Sequence, residues 1–122
     1  MKLAGKTALV TGAGFGQAIA LLFATEGAQL ALIDRDEAGL AGTQAQIATA
    51  GGQAIVQCGD VGAPGFAEAA VAACAARFGG PDVLVTAAGF SCGGTVTTTA
   101  PDDWDAVFRA NVGGTFLFAR AA

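Results

Sequence analysis

A chain of 122 residues is long enough to form one domain with a real core. Hydrophobic residues make up 53% of it and charged residues 13%, which excludes intrinsic disorder and implies elements buried on more than one side. A net charge of −4 with no basic stripe excludes a nucleic-acid surface, and no apolar run approaches the ~20 residues of a membrane-crossing helix.

The first apolar run, Thr7-Ala8-Leu9-Val10, has the length and branching of a buried strand, predicted over Thr7–Thr11. A strand so near the N-terminus leaves no room for a signal peptide, so the expected location is cytoplasmic. The glycine-rich turn Thr11-Gly12-Ala13-Gly14-Phe15-Gly16 joins this strand to a helix expected from about Gly16 to Glu26. Glycines let a backbone turn sharply and bring its N–H groups close to a ligand, and the positive end of the following helix favours a phosphate there. The second predicted strand, Gln29–Asp34, ends its apolar run on an acid about 20 positions beyond the turn. A carboxylate at that place suits the ribose hydroxyls of an adenosine and repels a 2′-phosphate. Arg35 offers the opposite preference, a cation able to pair with that phosphate. Capping of the next helix by Asp34 or Asp36 is the alternative use, and the two uses are compatible.

Further along, a helix is predicted over Asp36–Ala50 with Gly51-Gly52 as its stop, then a strand over Ala54–Cys58. A helix over Pro64–Phe78 places Phe66, Ala70, Cys74 and Phe78 on a core-facing side, and Asp82–Thr86 reads as the fourth strand. This strand–helix rhythm predicts an α/β fold: a Rossmann-type, doubly wound parallel sheet in the order 3-2-1-4, spanning residues 1–122 as one nucleotide-binding domain. The last segment opens on Thr99-Ala100-Pro101-Asp102, a capping-box variant, and carries Trp104, Val107, Phe108, Asn111, Val112 and Thr115 along one helical stripe. Gly113-Gly114 is where that helix should bend most easily. Asn111 on an apolar stripe is costly unless both ends of its amide find partners. Cys58, Cys74 and Cys92, in a chain without histidine, predict reduced thiols and no metal site.

Thr11-Gly12-Ala13-Gly14 with Gly16, Asp34, Asp60-Val61, Ala87-Ala88-Gly89 and Asn111 stand in the order found in the short-chain dehydrogenases/reductases. From Lys6 to Ala122 the chain resembles the N-terminal half of such an enzyme. The resemblance implies a nicotinamide dinucleotide, NAD rather than NADP given Asp34. It also implies hydride transfer between the nicotinamide and a carbon of a small alcohol or carbonyl substrate. By the same resemblance the cofactor lies against Thr11, Gly12, Gly14, Phe15, Gly16, Asp34, Arg35, Asp60, Val61, Ala88 and Gly89. Asp60 would hydrogen-bond the adenine, Val61 would present backbone beside it, and Ala88-Gly89 would let the end of the fourth strand approach closely. Asn111, the catalytic residue of this half, would shape a kinked helix and hold water in a proton relay.

The chain departs from that family in three ways. Its glycine loop is two residues shorter than the pattern Thr-Gly, three residues, Gly, one residue, Gly, so Gly16 matches the last glycine and the middle one has no counterpart. The family's Asn-Asn-Ala-Gly reads Thr86-Ala87-Ala88-Gly89, with the Thr86 hydroxyl as a partial replacement for two lost amides. The family's catalytic Ser and its Tyr-x-x-x-Lys pair fall beyond Ala122, and the chain contains no tyrosine. The expectation is a cofactor half-site, incomplete at its C-terminal end and inactive alone, whose open fourth strand favours homo-oligomers or self-association. Two other readings compete. One is a non-catalytic nucleotide- or partner-binding module derived from the same family. The other is a methyltransferase, which usually places an acid just before the first glycine, where this chain has Thr11.

Overall fold

The structure, a computed structural model, describes residues 1–13 and 15–122, with the backbone alone at Phe15. Strands β1 (Thr7–Thr11), β2 (Gln29–Asp34), β3 (Ala54–Cys58) and β4 (Val83–Thr86) form one parallel sheet in the order β3-β2-β1-β4. Helices α1 (Phe15–Thr25), α2 (Glu37–Thr49) and α3 (Phe66–Phe78) connect them. After β4 come α4 (Pro101–Phe108), a wide π turn (Arg109–Gly113) and α5 (Gly114–Ala121). The expected order 3-2-1-4 is the observed one.

Because side chains alternate across a strand, each strand feeds both faces of the sheet. Ala8, Val10, Leu30 and Leu32 point to one face and bury Ala20, Leu40 and Ile47 of α1 and α2. Leu9, Ala31 and Ile33 point to the other, where Ala67, Ala70 and Cys74 of α3 and Phe118 of α5 close the core. Phe118 is fully buried and meets Phe66 edge to face, ring centroids 6.1 Å apart. Burial on both faces explains why the strands read as continuous apolar runs rather than as alternating ones.

Three local expectations need correction. α3 begins at Phe66 rather than Pro64, because Gly65, in the left-handed region at φ +80°, takes the N-cap position. The capping box at Thr99 does not form: its hydroxyl donates to the Thr95 carbonyl (2.7 Å), and Ala100 occupies the N-cap with no side-chain bond. Gly113 and Gly114 do not bend the last helix, since both keep helical dihedrals. The irregularity is instead the π turn Arg109–Gly113, which ends on the first of these glycines and accommodates an extra residue in the helix. The Trp104, Phe108, Val112 and Phe116 side chains remain about half exposed along this segment. Among the described residues no helix is long and apolar enough to cross a membrane.

Phe118 is the largest fully buried side chain, so Phe118→Ala should cost about 3–5 kcal/mol of unfolding free energy. Urea unfolding followed by circular dichroism measures this, and a loss below about 1 kcal/mol would contradict the assigned packing.

Candidate functional site

In a parallel sheet of this order, β1 has neighbours whose connections leave in opposite directions, which opens a crevice at the carboxyl ends of the strands. A cleft of about 420 Å³ lies there, lined by Gly12 and Ala13 after β1, Asp34 and Arg35 at β2, and Gly59, Asp60 and Val61 after β3. Ala87, Ala88, Gly89 and Phe90 after β4, with Ala110 of the π turn, complete it. Its volume falls in the ordinary range for small-ligand sites. Seven of the residues singled out in the sequence therefore meet in one place: Gly12, Asp34, Arg35, Asp60, Val61, Ala88 and Gly89. Thr11 and Gly16 are buried and do not line the cleft, nor does Asn111. Gly14 and the side chain of Phe15 lie outside the described residues.

The wall nearest β1 is held by a close approach. Gly12 sits at φ +89°, and a Cβ there would stand 2.7 Å from the backbone of Ala87 and Ala88. The buried Thr11 hydroxyl accepts from the Ala87 N–H (3.1 Å) and the Ala88 N–H (3.2 Å), joining the ends of β1 and β4. Thr11, rather than Thr86, supplies the tie that the missing asparagines suggested. Gly12 donates its own N–H to the Ile33 carbonyl (2.8 Å), and Ala13 donates to Asp34 Oδ2. Both of these N–H groups are therefore occupied by the end of β2. The first turn of α1 carries no acid, and the first N–H groups of any helix have no partner within the helix, which makes this turn the place for an anion.

The Asp34 carboxylate has internal partners on both oxygens, Ala13 on Oδ2 and the Asp36 N–H on Oδ1 (2.9 Å). It thus fixes the turn and still lines the cleft, since each carboxylate oxygen has a second lone pair. Asp36 caps α2 through Gly39, 3.0 Å, so capping and lining are divided between the two acids. Asp60 accepts the Gly62 N–H on Oδ1 (2.9 Å) and pairs with Arg109 Nη2 through Oδ2 (2.8 Å). Asn111 resolves its cost by bonding one peptide at both ends. Its Oδ1 accepts from the Phe90 N–H (3.1 Å) and its Nδ2 donates to the Phe90 carbonyl (2.6 Å). A side chain on Gly89 would collide with that Oδ1. Val61 contributes backbone to the cleft while its side chain is buried in the core.

The family model of the short chain dehydrogenases matches residues 6–122. The chain belongs to the short-chain dehydrogenase family. It is 38% identical to a D-threitol dehydrogenase of Mycolicibacterium smegmatis, over 98% of this chain and 47% of that protein. It is 37% identical to a glucose 1-dehydrogenase of Gluconobacter oxydans, over 98% and 46%. Among solved structures, a short-chain dehydrogenase/reductase from Serratia marcescens superposes with a TM-score of 0.95 at 30% identity, over 100% of this chain and 51% of that one. Another from Mycobacterium marinum gives 0.94 at 33% identity, over 99% and 50%. The chain spans about half the length of the curated relatives it matches. Members of this family are oxidoreductases that bind nicotinamide dinucleotides.

Several lining residues escaped the sequence reading. Ala13, Gly59 and Ala110 carry little or no side chain and Phe90 sits in an irregular loop, so no residue type advertises them. Arg109 pairs with a residue 49 positions away, and nothing local in the sequence announces that. The thiols take no part: Cys58, Cys74 and Cys92 are free, and burial pushes the Cys74 thiol up, with the Asp82 charge adding to the effect.

Because the Thr11 hydroxyl serves two buried N–H groups, Thr11→Val should lose about 1–3 kcal/mol of stability while Thr11→Ser stays near the unaltered chain. Thermal and urea unfolding check this, and equal stability of the two variants would contradict the tie.

Proposed function

We propose that this chain is the NAD-binding portion of an oxidoreductase that moves a hydride between nicotinamide and an alcohol or carbonyl carbon. The observation that carries the reading is the convergence of Gly12, Asp34, Asp60 and the Ala88-Gly89 backbone on one cleft at the strand ends. The residues present fit the group. The cleft has an apolar wall in Ala87 and Ala88 for a flat base, and two acids whose spare lone pairs can accept from hydroxyl or amino donors. A helix start offers N–H groups without helical partners, and no acid in the first turn of α1 repels a pyrophosphate.

In this reading Asp34 takes the ribose hydroxyls, Asp60 the adenine, and Gly12 and Gly89 let their loops close on Ala87-Ala88 and on Asn111 to shape the cleft. Nicotinamide, when bound, supplies the hydride acceptor or donor. Asn111, fixed on Phe90, holds the helix turn beside the reacting end and orients water there. The chain has no tyrosine, so proton transfer at the substrate oxygen falls to the half of the relatives that this match does not cover. The half-exposed strip Trp104, Phe108, Val112 and Phe116 supports association of copies.

The test is titration of the purified chain with NAD and NADP by calorimetry. A 2′-phosphate facing the Asp34 carboxylate is a like-charge conflict of ~1–2 kcal/mol, so NAD should bind roughly ten times more tightly. Asp34→Asn, which keeps the size and removes the charge, should narrow that ratio. Equal or tighter NADP binding by the unaltered chain would refute the assignment of Asp34, and no binding of either would refute the proposal.

A further inference from the structure

The β3–α3 turn and the π turn fit together reciprocally. On one side, Gly62 packs so closely on Arg109 that a Cβ would stand 3.0 Å from both its carbonyl oxygen and its Cγ. On the other, a Cβ on Gly114 would stand 2.6 Å from Val61 Cγ2. Gly62 in the β3–α3 turn thus admits Arg109, Gly114 at the start of α5 admits Val61, and the contact is closed by the Arg109–Asp60 pair at 2.8 Å. Three consecutive residues of the π turn then have three separate tasks. Arg109 grips the turn after β3, Ala110 forms the cleft wall, and Asn111 grips Phe90 in the loop after β4.

We propose that Arg109 is a positioning residue for the purine end of this cleft, orienting the Asp60 carboxylate toward the amino group of a bound adenine. This rests on the dinucleotide reading above. An unpaired aspartate on a turn samples several rotamers, and the Gly62 N–H restrains only one of its oxygens. With Oδ2 engaged by the guanidinium as well, the carboxylate plane is fixed. Each oxygen retains one lone pair that can accept from an amino group. A purine carrying an oxo group in place of the amino group presents an acceptor to those same oxygens and is rejected. Arg109 therefore acts through Asp60 on which purine is accepted, without itself lining the cleft.

The experiment compares NAD with nicotinamide hypoxanthine dinucleotide, which differs only by that amino-to-oxo exchange. Both are titrated into the full chain and into its Arg109→Ala, Arg109→Lys and Asp60→Asn variants. The unaltered chain should prefer NAD. Arg109→Ala should reduce the preference about three- to fivefold, as expected for a partly exposed pair, and Arg109→Lys should restore part of it. A merely structural role for Arg109 would weaken both dinucleotides equally, so an unchanged ratio in Arg109→Ala overturns the inference whether or not overall affinity falls. An unchanged ratio in Asp60→Asn overturns it too, by removing Asp60 as the reader. If the unaltered chain binds neither dinucleotide, the dinucleotide reading itself fails and this inference falls with it.

Discussion

A Cβ on Gly12 would lie 2.7 Å from the peptide joining Ala87 and Ala88, and everything at the carboxyl end of the sheet depends on that absent atom. The close approach lets the Thr11 hydroxyl reach two N–H groups beyond β4, so the loops after β1 and β4 become one wall. Were the strand ends held further apart, those two N–H donors would lose their partner in the protein. The glycine that opens a phosphate-binding turn is thus explained here first by strand packing. The loop's next N–H groups follow the same economy, because Ile33 and Asp34 already hold those of Gly12 and Ala13.

The opposite wall is built by charge and by a helical irregularity. The π turn carries Arg109 and Asn111 to two different loops, and a regular helix, with a tighter turn, would rotate one of them away from its partner. Both aspartates in the cleft already have protein partners, so a ligand is met by oriented oxygens rather than by mobile ones. Preorganisation of this kind lowers the cost of ordering on binding.

Much of this was legible in the residues. Four apolar runs separated by helix-length segments fixed the parallel sheet, and the crossover rule fixed its order. Asp34 was legible because it ends the second strand about 20 positions beyond the glycine turn, and Asp60 through the resemblance to the family. What stayed hidden was pairwise. The Thr99-Ala100-Pro101-Asp102 pattern suggested a cap, but the local threonine turn claimed the Thr99 hydroxyl first. The glycine pair 113–114 suggested a bend, yet a glycine only permits one, and α5 packing through Phe118 keeps it helical. Arg109 with Asp60, and Asn111 with the Phe90 backbone, are contacts across 49 and 21 positions that no periodicity encodes.

The roles assigned to Asp34, Asp60 and Arg109 all depend on where a dinucleotide sits. Amide resonances of the isotope-labelled chain, followed during addition of NAD, test this most directly. The predicted result is shifts concentrated at Ala13, Gly59, Asp60, Ala88, Gly89 and Ala110, the backbone around the cleft, with the distant α2–β3 edge near Gln44 and Gln53 unmoved. Shifts gathered at that edge, or along the exposed strip from Trp104 to Phe116, would contradict it.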